Sequence, residues 1–213
     1  MTDSRQVRIK QMVVGPVATN CYILNRERSK EAVVIDPGAS GGRIVEEMKK
    51  DGLTLSAVLL THGHFDHYEG VPELTAAMGG KVYILDEEMK LISDSSMNGS
   101  QGLMGRGSAL EPECTVSDGE VLSVAGMDFK VIHTPGHTYG GCCYYLEDEG
   151  ILFAGDTIFM ESIGRTDLPT GNMTQILDSI REKILKLPED TRILPGHGPV
   201  TDVGYERENN PYA

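Results

Sequence analysis

Basic residues are scarce in this 213-residue chain: 19 Lys and Arg stand against 32 Asp and Glu, for a formal net charge of −13. Without a cluster of Lys and Arg, a nucleic-acid backbone is excluded as a partner, because such binding begins with neutralised phosphates. An anionic small molecule is not excluded, since it responds to the local charge of a metal ion rather than to the surface average. Long apolar runs are missing too. None approaches the roughly 20 residues of a membrane span. The polar opening Met1–Lys10 lacks the apolar core of a signal peptide. The expectation is a cytoplasmic chain with no membrane partner. Cysteine is sparse, four in all. Cys21 and Cys114 are isolated and Cys142 and Cys143 adjacent, so none has zinc-site or redox spacing, and buried thiols are expected. Nothing in the chain looks like an activated serine, which leaves water as the nucleophile of any hydrolysis.

What the chain does have is a short apolar run, Val58, Leu59 and Leu60, that leads directly into Thr61-His62-Gly63-His64-Phe65-Asp66-His67. Four potential metal ligands follow one strand. In an extended segment side chains alternate, so His62 and His64 point the same way. Asp66 and His67 come after Phe65, where the chain turns toward a helix over Tyr68–Met78, and they are aimed at a neighbouring point. The geometry asks for two metals side by side. Three of the chain's six histidines lie here.

Hydrophobic periodicity and turn residues place the rest. Val7–Val14, Asn20–Leu24 and Ala32–Ile35 read as a meander that ends at Asp36, either a turn former or a carboxylate that orients a ligating histidine. A helix over Gly42–Lys50, a strand over Leu55–Leu60, a helix through Val71, Leu74, Ala77 and Met78, and a strand over Lys81–Leu85 follow. Asp86–Ile92 reads as a short helix. Ser93–Pro112 has no clear period and is long for a loop, which suggests a lid or pocket edge with Met97, Leu103 and Met104 on its inner side. Strands are expected at Glu120–Val124, Asp128–His133, Cys142–Leu146, Ile151–Ala154 and Arg192–Leu194, with a helix from Met173 to Leu185 before the last. The second half thus repeats the first in outline, and the length fits one domain over 1–213.

His137, Asp156 and His197 each follow a strand and sit beside glycine, as the first cluster does. Two sets of three with one shared carboxylate account for all of them: His62, His64 and His137 on one metal, Asp66, His67 and His197 on the other, Asp156 between. Asp66 and Asp156 are thereby the catalytic carboxylates, and Asp36 and Thr61 are expected to support the ligands from outside. His133 is left to packing or hydrogen bonding. Nitrogen and oxygen donors fit two divalent ions, zinc first, with iron or manganese as alternatives. Such a pair can hold a hydroxide near pH 7 and polarise a carbonyl, which is the chemistry of ester, thioester or amide hydrolysis.

Thr61–His67 together with Gly136-His137, Gly155-Asp156 and Pro195-Gly196-His197 resembles the metallo-β-lactamase fold. That resemblance spans nearly the whole chain and implies a single-domain α/β, four-layer αββα sandwich with a two-metal site on one edge. Aspartate at Asp156 is similar to the hydrolase branches, whereas β-lactamases of the fold typically have cysteine there, so β-lactamase activity is not expected. Gly164-Arg165-Thr166-Asp167, Gly198-Pro199, and Glu206-Arg207 before Asn210-Pro211 look like the short bacterial glyoxalase II group, which hydrolyses S-lactoylglutathione. The resemblance implies a small-molecule thioester substrate and places Arg165 beside the glutathione moiety. Longer members add a C-terminal helical domain with further glutathione-binding basic residues, while this sequence ends at Ala213, so the resemblance implies a thioester substrate more firmly than it implies glutathione as the thiol carrier. The resemblance also leaves open a persulfide dioxygenase with one iron on His62, His137 and Asp156, a lactonase, and a non-enzymatic metal-binding module. Oligomeric state is not legible in the sequence.

Overall fold

The computed structural model describes residues 6–213. Two six-stranded sheets lie face to face. The first contains β1 (Val7–Val14), β2 (Thr19–Arg26), β3 (Glu31–Ile35), β4 (Thr54–Leu59), β5 (Lys81–Leu85) and β6 (Cys114–Val116), in that order across the sheet. β1 to β3 form the antiparallel meander, and β3 to β6 run parallel. The parallel crossovers carry α1 (Gly41–Lys50), α2 (Phe65–Tyr68), α3 (Val71–Met78), α4 (Met89–Ile92) and α5 (Ser100–Met104). The second sheet is built from β7 (Val121–Val124), β8 (Met127–His133), β9 (Cys142–Leu146) and β10 (Ile151–Gly155). A small hairpin of β11 (Ile158–Phe159) and β12 (Ser162–Ile163), then α6 (Met173–Glu182), lead to β13 (Arg192–Pro195), which joins β10 in parallel. β14 (Thr201–Asp202) and α7 (Val203–Asn209) complete the chain.

Alternation along the strands makes the four layers. In β3, Val33 and Ile35 face the space between the sheets while Ala32 and Val34 face α1 and α3; in β10, Phe153 points inward and Leu152 and Ala154 meet α6. Both faces are covered, which is why these strands are continuous apolar runs. The inner layer includes Tyr22, Leu24, Leu59, Phe129, Tyr144 and Phe153, all nearly inaccessible, and each such side chain contributes about 1.5–3 kcal/mol by leaving water. The outer layers are held by Ile44, Met48 and Leu74 on one side and by Ile176, Ile180 and Val203 on the other. Asn172 starts α6 by accepting from the Gln175 N–H, a side-chain cap of the usual kind.

Several details differ from the sequence expectation. The helix expected over Tyr68–Met78 is two helices, α2 and α3, because the Gly70 N–H turns aside to the Pro37 carbonyl (2.8 Å) and Pro72 enters the first turn of α3. The segment Ser93–Pro112 is tied down rather than featureless: buried Asn98 donates to Tyr68 Oη (2.9 Å) and Ser108 O (2.8 Å), and α5 lies within it. Met104 packs on the outer core; the side chain of Leu103 lies outside the described residues. β6, β11, β12, β14 and α7 were not expected. The cysteines are all free, with Cys21, Cys142 and Cys143 buried and Cys114 half-buried. Among the described residues no helix is long and apolar enough to cross a membrane.

Candidate metal centre

The C-terminal ends of β3, β4, β8, β10 and β13 reach the same edge of the sandwich, and every predicted ligand follows one of them. Strand ends are where open sheets gather their chemistry. Three donor groups form there with ligand atoms within 4.8 Å of one another: His62, His64 and His137; Asp66, His67 and His197; and His62, His67 and Asp156. The first two are the sets read from the sequence, and the third places Asp156 against both.

Hydrogen bonds at the back of the site decide which ring nitrogen faces inward. Asp36, 2% exposed, takes His67 Nδ1 at 2.9 Å on Oδ2, the Thr61 hydroxyl at 2.7 Å on the same oxygen, and the Thr61 N–H at 2.8 Å on Oδ1. The Thr61 hydroxyl thus spends its proton on Asp36 and can only accept from His62 Nδ1, 3.1 Å away. His137 Nδ1 donates to the Arg165 carbonyl at 2.7 Å. With these Nδ1 protons committed, Nε2 of His62, His67 and His137 is the ring nitrogen turned toward the centre, where a metal would take the place of any proton on it. His64 is turned the other way, with Nδ1 2.9 Å from His137 Nε2. Asp36 achieves its position with a left-handed backbone, φ 49°, which aspartate tolerates better than most residues.

Outside the His64–His137 contact, the donors fit metal ions better than they fit one another. Nε2 of His62 and His67 and Oδ1 of Asp156 are buried with no hydrogen-bond partner among the described residues. His67 Nε2 is 3.5 Å from both Asp66 Oδ2 and Asp156 Oδ1, His137 Nε2 is 3.5 Å from Asp156 Oδ2, and His197 Nε2 is 3.3 and 3.6 Å from Asp66 and Asp156. Hydrogen bonds to such oxygens are normally about 2.9 Å. Ligands held at about 2.0–2.1 Å around a tetrahedral ion are about 3.3–3.4 Å apart, close to the separations here.

Charge is distributed unevenly. Burial, with neighbouring histidines, keeps His62 well below the imidazole range, and burial draws His64 down to about 3. Burial also opposes charge on His67, but Asp66, Asp36 and Asp156 outweigh it and lift it to about 10. Asp66 likewise overcomes burial through His67 and His197 and stays well below the carboxylate range. In the metal-free protein a proton on His67 thus supplies positive charge that the carboxylates otherwise lack.

The sequence reading missed residues that hold this edge together. Thr19 donates to Asp66 Oδ2 at 3.1 Å. Asn20 Nδ2 reaches the Pro195 and Gly198 carbonyls at 3.0 and 2.9 Å, and Tyr22 Oη reaches Pro195 O at 2.7 Å, so β2 fixes the loop that carries His197. In that loop Gly196 approaches so closely that a Cβ would stand 2.2 Å from Asp156 Oδ1 and 2.8 Å from His67 Cε1. Glu88, fully buried, accepts backbone N–H groups from two ligand loops. Apart from Gly196, which stood in Pro195-Gly196-His197, none of these lay in a ligand motif, though Asn20 and Thr19 in a largely apolar strand were a visible irregularity. His133 is outside the centre, with Nε2 2.9 Å from Tyr139 O. Gly38-Ala39-Ser40-Gly41-Gly42 has the letters of a serine-nucleophile elbow, yet Ser40 is exposed at the start of α1 and no histidine bonds to it among the described residues.

A cavity of about 360 Å³ opens on the donors, lined also by Phe65, Phe159, Ile163, Leu168, Asn98 and Gly99, with the exposed Arg165 at its rim. Gly99 and Asn98 make the Ser93–Pro112 segment a pocket edge. Arg165 contributes its carbonyl to His137, while its guanidinium forms a two-pronged pair with Asp167, both contacts 2.7 Å and both side chains largely exposed. The wall formed by β11 and β12 is anchored from behind: buried Glu206 accepts from the Glu161 N–H (2.9 Å), and Asn210 Nδ2 donates to Ser162 O (3.1 Å).

Comparison with known proteins agrees with this geometry. The profile described as Metallo-beta-lactamase superfamily matches residues 14–197. The chain is 39% identical over 204 residues to "Probable metallo-hydrolase YqgX" of Bacillus subtilis, covering 95% of this chain and 96% of the relative. It is 34% identical over 208 residues to "Hydroxyacylglutathione hydrolase GloC" of Haemophilus influenzae, covering 97% and 98%. Among solved structures, BLEG-1 B3 metallo-beta-lactamase superposes with a TM-score of 0.92 at 40% identity, covering 96% of this chain and 99% of that one. TTHA1623 in a di-iron-bound form superposes with a TM-score of 0.85 at 31% identity, covering 96% and 100%.

Proposed function

The chain belongs to the metallo-beta-lactamase superfamily, and from that premise we propose that it is a two-ion metallo-hydrolase of small thioesters, with S-lactoylglutathione or a related hydroxyacylglutathione as substrate. The observation that carries this reading is the completeness of both donor sets, His62, His64 and His137 beside Asp66, His67 and His197, with Asp156 reaching both. The chemistry supplied there is a hydroxide available near pH ~7 and polarisation of a carbonyl oxygen. Zinc suits the donors, and iron is equally consistent with the di-iron form of TTHA1623.

The protein's own part is orientation. Asp36 and Thr61 hold His67 and His62 in the tautomer that leaves Nε2 bare, the Arg165 carbonyl does so for His137, and Thr19 steadies Asp66. Phe65, Phe159, Ile163 and Leu168 give the acyl end of a substrate a dry wall beside the donors. Arg165 at the rim is the cation placed to meet a carboxylate of the thiol carrier, in exchange for its pair with Asp167; exposed pairs of that kind are worth about 0–1 kcal/mol and open easily. Likeness to GloC supports the carrier being glutathione.

A single-iron dioxygenase reading employs His62, His137 and Asp156 and gives no task to Asp66, His67 and His197, although those three have their own supports in Thr19, Asp36 and Asn20. The deciding experiment compares hydrolysis of S-lactoylglutathione with oxygen uptake on glutathione persulfide, in wild type and His197→Ala. Hydrolysis without oxygen uptake, nearly abolished in the variant, is expected. Oxygen uptake that survives His197→Ala with one iron per chain would overturn the proposal. Likeness to BLEG-1 makes a β-lactam the natural third substrate in the same assay, with no turnover expected.

A further inference from the structure

Glu88 lies in no ligand motif, in the polar run Asp86-Glu87-Glu88 that follows β5, yet its side chain is fully buried. One oxygen, Oε1, accepts the Gly63 N–H at 2.9 Å; the other, Oε2, accepts the Gly140 N–H at 2.7 Å. No Lys or Arg pairs with it among the described residues. Burying a carboxylate without a cation is costly, and the two backbone N–H groups are what offset that cost here. Gly63 is flanked by His62 and His64, and Gly140 follows three residues after His137. The backbone at Gly140 comes so near that a Cβ would stand 2.4 Å from the Glu88 nitrogen.

We infer that Glu88 is a positioning residue which ties the His62–His64 loop to the His137 loop and thereby sets the geometry of one of the two candidate metal sites, leaving the other alone. The selectivity follows from connectivity. All three donors of the first set are carried by the two loops that Glu88 joins. The second set is held from elsewhere, by Asp36, Thr19 and Asn20. The two sheets also meet at this edge through Cys142 N–H to Thr61 O, at 2.8 Å, so the fold does not depend on Glu88 alone. A carboxylate is required because both partners are donors: a glutamine side chain offers one acceptor and one donor, and one of the two N–H groups would face an NH₂. Aspartate keeps the charge but is a methylene too short to span both loops.

This inference rests on the two-ion reading, and the test separates the two. Zinc is titrated into the metal-stripped full chain against a chromophoric chelator, for wild type, Glu88→Gln and Glu88→Asp, each also in a His137→Ala or His197→Ala background. Wild type should bind two zinc ions; fewer would overturn the two-ion reading itself. Glu88→Gln should weaken one ion by about 10–100-fold, the usual cost of removing an outer partner of a ligand, and leave the other within about threefold. In the His197→Ala background, where the first set remains, the substitution should weaken the remaining ion further; in the His137→Ala background it should add little. Equal weakening of both ions would mark Glu88 as a general structural residue and overturn the inference, as would unchanged affinity at both. Should Glu88→Gln fail to fold, Glu88→Asp carries the same pattern at smaller amplitude, and the same two outcomes count against it.

Discussion

Oδ2 of Asp36 stands 2.9 Å from Nδ1 of His67, and both side chains are closed to solvent. That contact fixes the ring orientation of His67, and through the Thr61 hydroxyl the same oxygen also governs His62. Replacing Asp36 by Ala therefore releases two rings from one change. Metal affinity and hydrolysis should each fall by about 10–100-fold. Chelator competition and steady-state kinetics check this, and wild-type values in both would reduce Asp36 to a turn residue.

His67 makes the metal-free protein sensitive to alkali. Its folded pKa, about 10, lies above the ordinary 6.5, so its pairing with the carboxylates stabilises the fold fully below pH 6.5 and is lost as pH rises through 10. Asp66 is shifted downward; its contribution is present above the ordinary carboxylate pKa and is lost in acid. Thermal melts of the stripped protein should therefore fall on both sides of neutrality. Loading with zinc replaces the His67 proton, so metal uptake should release protons and the alkaline fall should shrink. A melt that stays flat from pH 6.5 to 10 in the stripped protein would contradict this.

Gly196 offers a probe of the centre that spares the apolar core. A methyl group there must displace Asp156 Oδ1 or the His67 ring. Gly196→Ala should bind zinc at least about tenfold more weakly while the stripped protein melts within a few degrees of wild type. Full metal occupancy at limiting zinc would show that the loop yields instead.

Arg165 and Asp167 should respond in opposite directions. Arg165→Ala removes the cation at the rim but keeps the carbonyl that orients His137, so metal content should be unchanged and KM for S-lactoylglutathione should rise several-fold with kcat nearly intact, the signature of binding shared by ground and transition states. Asp167→Ala frees the guanidinium and should lower KM. Arg165→Lys should recover only part, because an ammonium lacks the two-pronged fork. An unchanged KM in all three would assign the pair to the surface alone.

The candidate ligands stand out because histidine is rare in this chain and His62, His137 and His197 each come shortly after an apolar strand, so that local pattern and chemistry point the same way. The central strands of both sheets were legible for a related reason, since residues such as Val33, Val34, Leu152 and Phe153 are apolar on both faces. Glu88 was not legible. In sequence it belongs to an acidic run, and only the meeting of two distant loops buries it. β6 escaped notice because three residues at a sheet edge, reached by the long 93–112 segment, carry too little periodicity to stand out. α7 is short and largely polar, with its buried side chains, Val203 and Glu206, meeting groups far back in the chain. Asp36 stood between two readings that strand-end position could not separate; its three hydrogen bonds to Thr61 and His67 are the contacts that the orienting reading requires.

Each sheet is made from one continuous half of the chain, and each candidate donor set draws on both halves: His62 and His64 need His137, and Asp66 and His67 need His197. During synthesis the first sheet can pair early, as N-terminal units generally do. The set of His62, His64 and His137 needs only the loop after β8, whereas the set of Asp66, His67 and His197 does not close until β13 has docked beside β10, late in synthesis. A nascent or truncated chain that ends between His137 and His197 therefore carries all three donors of the first set but lacks one of the second. In the mature protein an ion held by either set would brace the two halves, so the rate at which added zinc escapes to a chelator would measure how often the two sheets part at that edge.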